Sequence, residues 1–213
     1  MKLFNHFKRN WTSKQHQGWW EHRKIDWNKE YLSTWNHLHR QIIAAMLAEK
    51  DWISLWELGC GPGPNLIQII KKFPNRQVGG SDINPEAIEI AGKLFQGGHF
   101  EVCPNHDIMG SDNFTDIMLA DRTLMYSGPL MIKKVIKEIK RCTRQGVIIV
   151  EYDTESLWEQ LKFLFSSGMY AHNYEKLLKK EGFYDIVKYR MPIMEGADWP
   201  QKKMLKIIYG KCV

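Results

Sequence analysis

Apolar residues alternate along this chain between short continuous runs and longer stripes at three- and four-residue spacing. Trp52–Leu58 reads as a first strand. Leu66, Ile69, Ile70 and Phe73 then form one helix face that stops near Pro74. Gln77–Ser81 predicts a second strand leading to Asp82. Asn84-Pro85 opens the next helix with a capping side chain and a proline at its first position. Ala87, Ala91, Leu94 and Phe95 give that helix its buried face, and Gly97-Gly98 its stop. His99–Cys103, Phe114–Ala120 and Gly146–Val150 predict three more strands, the second mostly apolar as a buried parallel strand should be. Ile132, Val135, Ile136 and Ile139 mark the helix before the last of them.

Strand and helix alternate, so a parallel sheet with helices on both faces is the expected solution. The two ends depart from that rhythm. Near the start, Tyr31, Trp35, Leu38, Ile42 and Met46 predict one helix over 28–48, while 1–26 shows no clear periodicity. Near the end, a helix over 173–181 precedes two strands, Phe183–Tyr189 and Lys203–Tyr209. The linker between them is too short for a crossover helix, so they should pair antiparallel.

Between the first strand and its helix lies Glu57-Leu58-Gly59-Cys60-Gly61-Pro62-Gly63-Pro64-Asn65. Glycines let the backbone turn and let a ligand approach without Cβ interference, and the helix start that follows suits an anion. A dinucleotide loop would place its third glycine where Pro64 stands, and Glu57 would repel a pyrophosphate. A ligand carrying a carboxylate together with positive groups fits better.

The loop resembles the first motif of the class I (Rossmann-like) S-adenosylmethionine-dependent methyltransferases, Asp/Glu-x-Gly-x-Gly-x-Gly. The resemblance extends over roughly residues 30–210, because that family also ends its mostly parallel, seven-stranded sheet in an antiparallel hairpin. It implies an α/β fold, S-adenosylmethionine as cofactor and S-adenosylhomocysteine as product. Gly59, Cys60, Gly61, Gly63 and Asn65 would then frame the cofactor loop, and Glu57 would hold the methionine ammonium. Asp82, roughly 20 residues beyond Gly59, is placed to accept hydrogen bonds from the ribose hydroxyls. Ile83 would lie against adenine, with Asp107 and the backbone N–H of Ile108 at its ring edge.

Asp121, after the fourth strand, is implied near the transferred methyl, where it binds the ammonium, holds the acceptor or acts as base. An ion pair with Arg122 is the other reading of Asp121. His172, in a His-x-Tyr run, and Tyr126 are the other base candidates. Tyr31 and Trp35 share a spacing with Trp27 that suits either core packing or a lid over the cofactor, and Arg40 is expected at the surface. No Asn/Asp-Pro-Pro-Tyr run follows the fourth strand, which disfavours DNA as acceptor. The expected reaction is methyl transfer to oxygen or nitrogen of a small molecule. An RNA or protein methyltransferase and a non-catalytic cofactor-binding subunit are the alternatives.

Composition changes this picture little. Over 213 residues the net charge is +6, which permits RNA or an anionic lipid surface without requiring either. Nine tryptophans are unusual, and Trp11, Trp19, Trp20, Trp27 and Trp35 crowd the beginning. An aromatic and basic segment 1–27 is therefore expected ahead of a cofactor-binding domain 28–213. Cys60, Cys103, Cys142 and Cys212 contain no Cys-x-x-Cys pair, so neither zinc nor disulfides are expected. With no signal peptide or spanning segment visible, a cytoplasmic monomer or homodimer is expected.

Overall fold

The computed structural model describes residues 12–192 and 202–212. Lys8, Arg9 and Trp11 of the basic aromatic segment, and most of the linker between the last two strands, lie outside the described residues.

The first strand, β1 (Ser54–Leu58), pairs in parallel with β2 (Gln77–Asp82) and with β4 (Thr115–Asp121). The parallel ladder continues from β2 to β3 (His99–Val102) and from β4 to β5 (Thr143–Tyr152). β7 (Leu205–Lys211) runs antiparallel to both β5 and β6 (Tyr184–Arg190). The seven-stranded order is β3-β2-β1-β4-β5-β7-β6. The order reverses beside β1 and β4, and the carboxyl ends of an open α/β sheet form a crevice at such a point.

Two apolar layers sandwich the sheet. One includes Leu55, Ile69, Leu119 and Ile148, with Ile43 and Leu47 of α3 (Leu38–Ala48) and Leu66 of α4 (Pro64–Lys72). The other is led by Ile132, Val135, Ile136 and Ile139 of α6 (Met131–Cys142) and by Leu178 of α8 (Tyr174–Lys180). Asn84 caps α5 (Pro85–Leu94), its side-chain oxygen accepting from Ala87 N at 3.1 Å. No helix among the described residues is long and apolar enough to cross a membrane.

Three elements differ from the expectation. The single helix expected over 28–48 is broken into α2 (Trp27–Glu30), a 3₁₀ turn (Leu32–Thr34) and α3. The hydroxyls of Ser33 and Thr34 donate to the carbonyls of Lys29 and Tyr31, a local alternative to the helical ladder. The seemingly aperiodic start contains α1 (Ser13–Glu21), whose signal was Thr12-x-x-Gln15, a capping box with both of its hydrogen bonds made. Beyond β5 stands α7 (Leu157–Ser167), begun by Ser156 as cap and closed by Gly168 at φ +75°. Ser156-x-x-Glu159 was its signature.

Candidate active site

A cavity of about 580 Å³ opens over the carboxyl ends of β1, β2, β4 and β5. The loop after β1 forms its floor. Gly59 and Gly61 sit at φ +58° and +54°, the left-handed region that glycine enters without strain. A Cβ on Gly59 would lie 2.1 Å from Thr123 Oγ1, whereas one on Gly61 would meet nothing within 4 Å. Gly59 is therefore fixed by packing, and Gly61 by the room it leaves above the loop. Gly63 caps α4 at φ +88° and does not line the cavity.

The Asp82 carboxylate accepts from Gly61 N and from Asn84 N, each at 2.9 Å, so one side chain ties the two loops together. Burial raises its pKa against these hydrogen bonds. Cys60 and Ile83 line the cavity beside it, and burial pushes the Cys60 thiol well above its ordinary range.

Glu57 is 2% exposed. Its Oε1 accepts from Asn65 Nδ2, while its buried Oε2 has no partner. Burial pushes its pKa up to about 8, with the Asn65 hydrogen bond opposing. Asn65 Nδ2 also reaches Asp121 Oδ2 at 3.1 Å, and Asn65 Oδ1 accepts from Arg40 Nη1. Arg40 is 4% exposed, a correction to the surface position expected for it. Its Nε and Nη2 donate at 3.0 Å to the Thr34 carbonyl and hydroxyl, so the broken helix buries it.

Asp121 is the centre of this network. Arg122 Nε donates to its Oδ1 at 3.0 Å, and Arg40 Nη1 and His39 Nε2 lie 3.5 and 3.3 Å from its Oδ2. Burial alone would raise its pKa, but the Arg122 and Arg40 guanidiniums hold it well below the usual carboxylate range. A carboxylate held this way is a weak proton acceptor. His39 is neutral, because burial lowers its pKa to about 4, and its Nε2 takes a hydrogen bond from Arg122 Nη2 at 2.9 Å. Arg122 itself stands at φ +53°, a strain of about 1–3 kcal/mol that its bonds to Val150 O and Asp121 sustain.

The N-terminal segment closes the cavity. Gln17 and Trp20 of α1, Trp27 of α2 and Tyr31 all line it. Asn84 Nδ2 donates to the carbonyls of Trp20 and Arg23 at 2.8 Å, while Ser13 Oγ accepts from Gly128 N at 2.7 Å. Tyr126 faces Trp20 with ring centroids 5.4 Å apart, and burial holds its phenol well above the ordinary range. At neutral pH that hydroxyl is a donor.

Besides Gly63, four other residues expected at the site do not line the cavity. Trp35 falls past the helix break, with Lys71 Nζ 4.3 Å above its ring. Asp107 points to solvent, and the Ile108 N–H is already donated to Glu138 Oε1 at 2.9 Å. The turn joining Pro104 O to Asp107 N presents Asn105 and His106 to the cavity instead. His172 is buried behind the wall, its Nε2 2.8 Å from Ser127 O and its pKa lowered by burial to about 4. It supports Ser127 and is in no position to take a proton from a ligand.

These shifts give the stability a defined pH dependence. His39 and His172, lowered to about 4, are unprotonated when folded, so stability rises with pH between there and 6.5. Glu57 and Glu151, raised to about 8, keep their protons when folded, so stability falls between 4.5 and 8. Above 6.5 only the glutamates of this group still act. The melting temperature of ligand-free protein is expected to fall from there to pH 8. In Glu57→Gln the fall should shrink by roughly half, because Glu151 remains. An unchanged slope in that variant would contradict the assignment.

The family profile described as a methyltransferase domain matches residues 50–198. No curated protein matches the sequence. Three solved structures share the fold. Magnesium protoporphyrin IX methyltransferase from Synechocystis PCC 6803, with bound S-adenosylmethionine, has a TM-score of 0.66 at 12% identity, covering 94% of this chain and 97% of that one. The S-adenosylmethionine-dependent methyltransferase SibL gives 0.63 at 16%, covering 84% and 56%. The carbon methyltransferase CurJ gives 0.59 at 16%, covering 81% and 53%. This chain thus spans little more than half the length of the last two.

Proposed function

The chain belongs to the class I methyltransferase family, and from that premise we propose that it moves the methyl group of S-adenosylmethionine to oxygen or nitrogen of a small-molecule acceptor. The residues present fit that cofactor. Glu57 Oε2 is a buried carboxylate oxygen without a partner, suited to the methionine ammonium, and an ammonium beside it would bring its raised pKa down. The open face of Gly61 leaves room for the cofactor backbone. Asp82, fixed by backbone N–H groups of Gly61, Asn84 and Ile83, would accept from the ribose hydroxyls with the carboxylate capacity that remains. Ile83 and His106 would border the adenine, and Arg40 the methionine carboxylate.

When bound, the sulfonium supplies an already activated leaving group. The chain's task is therefore to hold the acceptor in line and to exclude water. Trp20, Trp27, Tyr31 and Tyr126 form an aromatic wall suited to both tasks, since aromatic faces also attract a sulfonium by about 0.5–2 kcal/mol. Asp121 orients Arg40, Asn65 and Arg122 rather than taking the proton. In this reading the described part of segment 1–27, residues 12–27, covers the site of domain 28–213.

The observation that carries the small-molecule reading is the closure of the cavity by α1 and α2 over the strand ends. The test is transfer from methyl-labelled cofactor into three pools: small metabolites, RNA and protein. Label is expected in the metabolite fraction, with micromolar binding of cofactor and product by calorimetry. Label in RNA or protein would overturn the acceptor class, and binding without transfer to any pool would point to a non-catalytic subunit.

A further inference from the structure

The wall that covers the cavity is rich in hydrogen-bond donors that have nothing to donate to. Trp20 and Trp27 line it, and the indole N–H of each is buried without a hydrogen-bond partner. Trp27 is 3% exposed, so its N–H is cut off from bulk water as well. An indole nitrogen can only donate, and so can a guanidinium. Arg122 lines the same cavity, and Arg23 stacks on Trp20 with its guanidinium carbon 4.8 Å from the ring centroid. Arg23 Nη1 is likewise buried and unpartnered. Glu30, the acid that α2 brings to the cavity, is exposed and already paired with Arg23 Nη2 at 3.0 Å. Buried donors of this kind are matched by a ligand that supplies the acceptor atoms, and the two guanidiniums favour a negative one.

The same wall lacks a group to take a proton. Burial raises the phenols of Tyr31, Tyr126 and Tyr152, so all three keep their hydrogens at neutral pH. Asp121 is committed to Arg122 and Arg40. His37 is exposed before α3, and His106 lies in the turn after β3, so neither imidazole belongs to the wall of α1, α2 and Tyr126. A phenol or an alcohol would find no partner here for its proton. A carboxylic acid, ionised above about pH 4, has none to lose.

The faces of Trp20, Trp27, Tyr31 and Tyr126 favour a flat, apolar body behind that charge. Resting on the transferase reading above, we infer that the acceptor is an aromatic carboxylic acid, held as its carboxylate by the indole N–H groups of Trp20 and Trp27 in the field of Arg23 and Arg122, and that the product is its methyl ester. One carboxylate oxygen forms the bond to the methyl carbon as the carbon–sulfur bond breaks. The electron pair of that bond stays on sulfur, and no proton moves.

Benzoate tests the binding half without any turnover. In protein saturated with S-adenosylhomocysteine, which keeps the probe away from Arg40, benzoate is expected to shift the indole N–H resonances of Trp20 and Trp27. Trp20→Phe and Trp27→Phe assign those two signals. Neutral benzamide, of the same shape, should bind at least about tenfold more weakly, and so should benzoate to Trp27→Phe, which keeps a ring but loses the donor. Should Trp27→Phe not fold, Trp20→Phe must give the same loss. The reaction half is read on the labelled metabolite fraction, from which mild alkali should release the label as volatile methanol. Equal binding of benzamide and benzoate, indole signals that ignore benzoate, or label that survives alkali would each overturn this acceptor class and leave the transferase reading standing. Failure of S-adenosylhomocysteine to bind would overturn that reading, and this inference with it.

Discussion

Asp82→Ala is expected to weaken S-adenosylmethionine and S-adenosylhomocysteine binding at least tenfold, a loss of about 1.4 kcal/mol or more. Two effects add. The ribose hydroxyls lose a charged acceptor, and hydrogen bonds to charged groups contribute about 1.5–3 kcal/mol. The Gly61 and Asn84 amides, each 2.9 Å from the carboxylate, also lose the group that fixes their loops. Calorimetry of wild type, Asp82→Ala and Asp82→Asn separates the two effects. The amide keeps one oxygen for one loop and one hydroxyl, so its affinity should fall between the others. Equal affinity in all three would remove Asp82 from the binding site.

The largest effect on stability is expected from Arg40→Met. Arg40 is the buried cation that joins Asn65, Asp121 and Thr34. Methionine fills similar volume but leaves the polar partners unanswered, and removing one member of a buried charge pair costs about 3–5 kcal/mol. For a chain of this size that lowers the melting temperature on the order of 10 °C. Arg40→Lys keeps the charge but loses the planar fork, so it should cost less. Thermal denaturation at pH 7 decides this, and a loss under about 1 kcal/mol in Arg40→Met would mean that the network carries little of the stability. The same variant should bind the cofactor more weakly, because Asn65 would no longer be held against Glu57.

Much of the sheet was legible before any coordinates. Its strands are apolar runs separated by capped helices, and each signal lies within a dozen residues of chain. Glu57, Gly61 and Asp82 were legible for the same reason, as they follow directly on strands whose ends must form the crevice. α1 and α7 were equally local, each announced by a capping pair, but their polar and aromatic composition hid the period. The break after Tyr31 was harder to read, because it depends on two hydroxyls and on the Arg40 fork taking the Thr34 carbonyl.

The sequence by itself determined the order of elements, the parallel sheet with its reversed end, and the glycine loop after β1. Those rest on periodicity, caps and glycine positions, which act between near neighbours. The tertiary structure alone decided what surrounds the loop. Arg40 became a buried partner of Asp121, 81 residues away, instead of a surface charge. His172 became a prop for Ser127, and His106 took the cavity edge that Asp107 had been expected to hold. Which side chains share a crevice depends on contacts between distant segments, and burial then sets their charge. A carboxyl at about 8 in Glu57 and a carboxylate held far below its usual range in Asp121 look alike in sequence and differ only by the partners that folding brings to them.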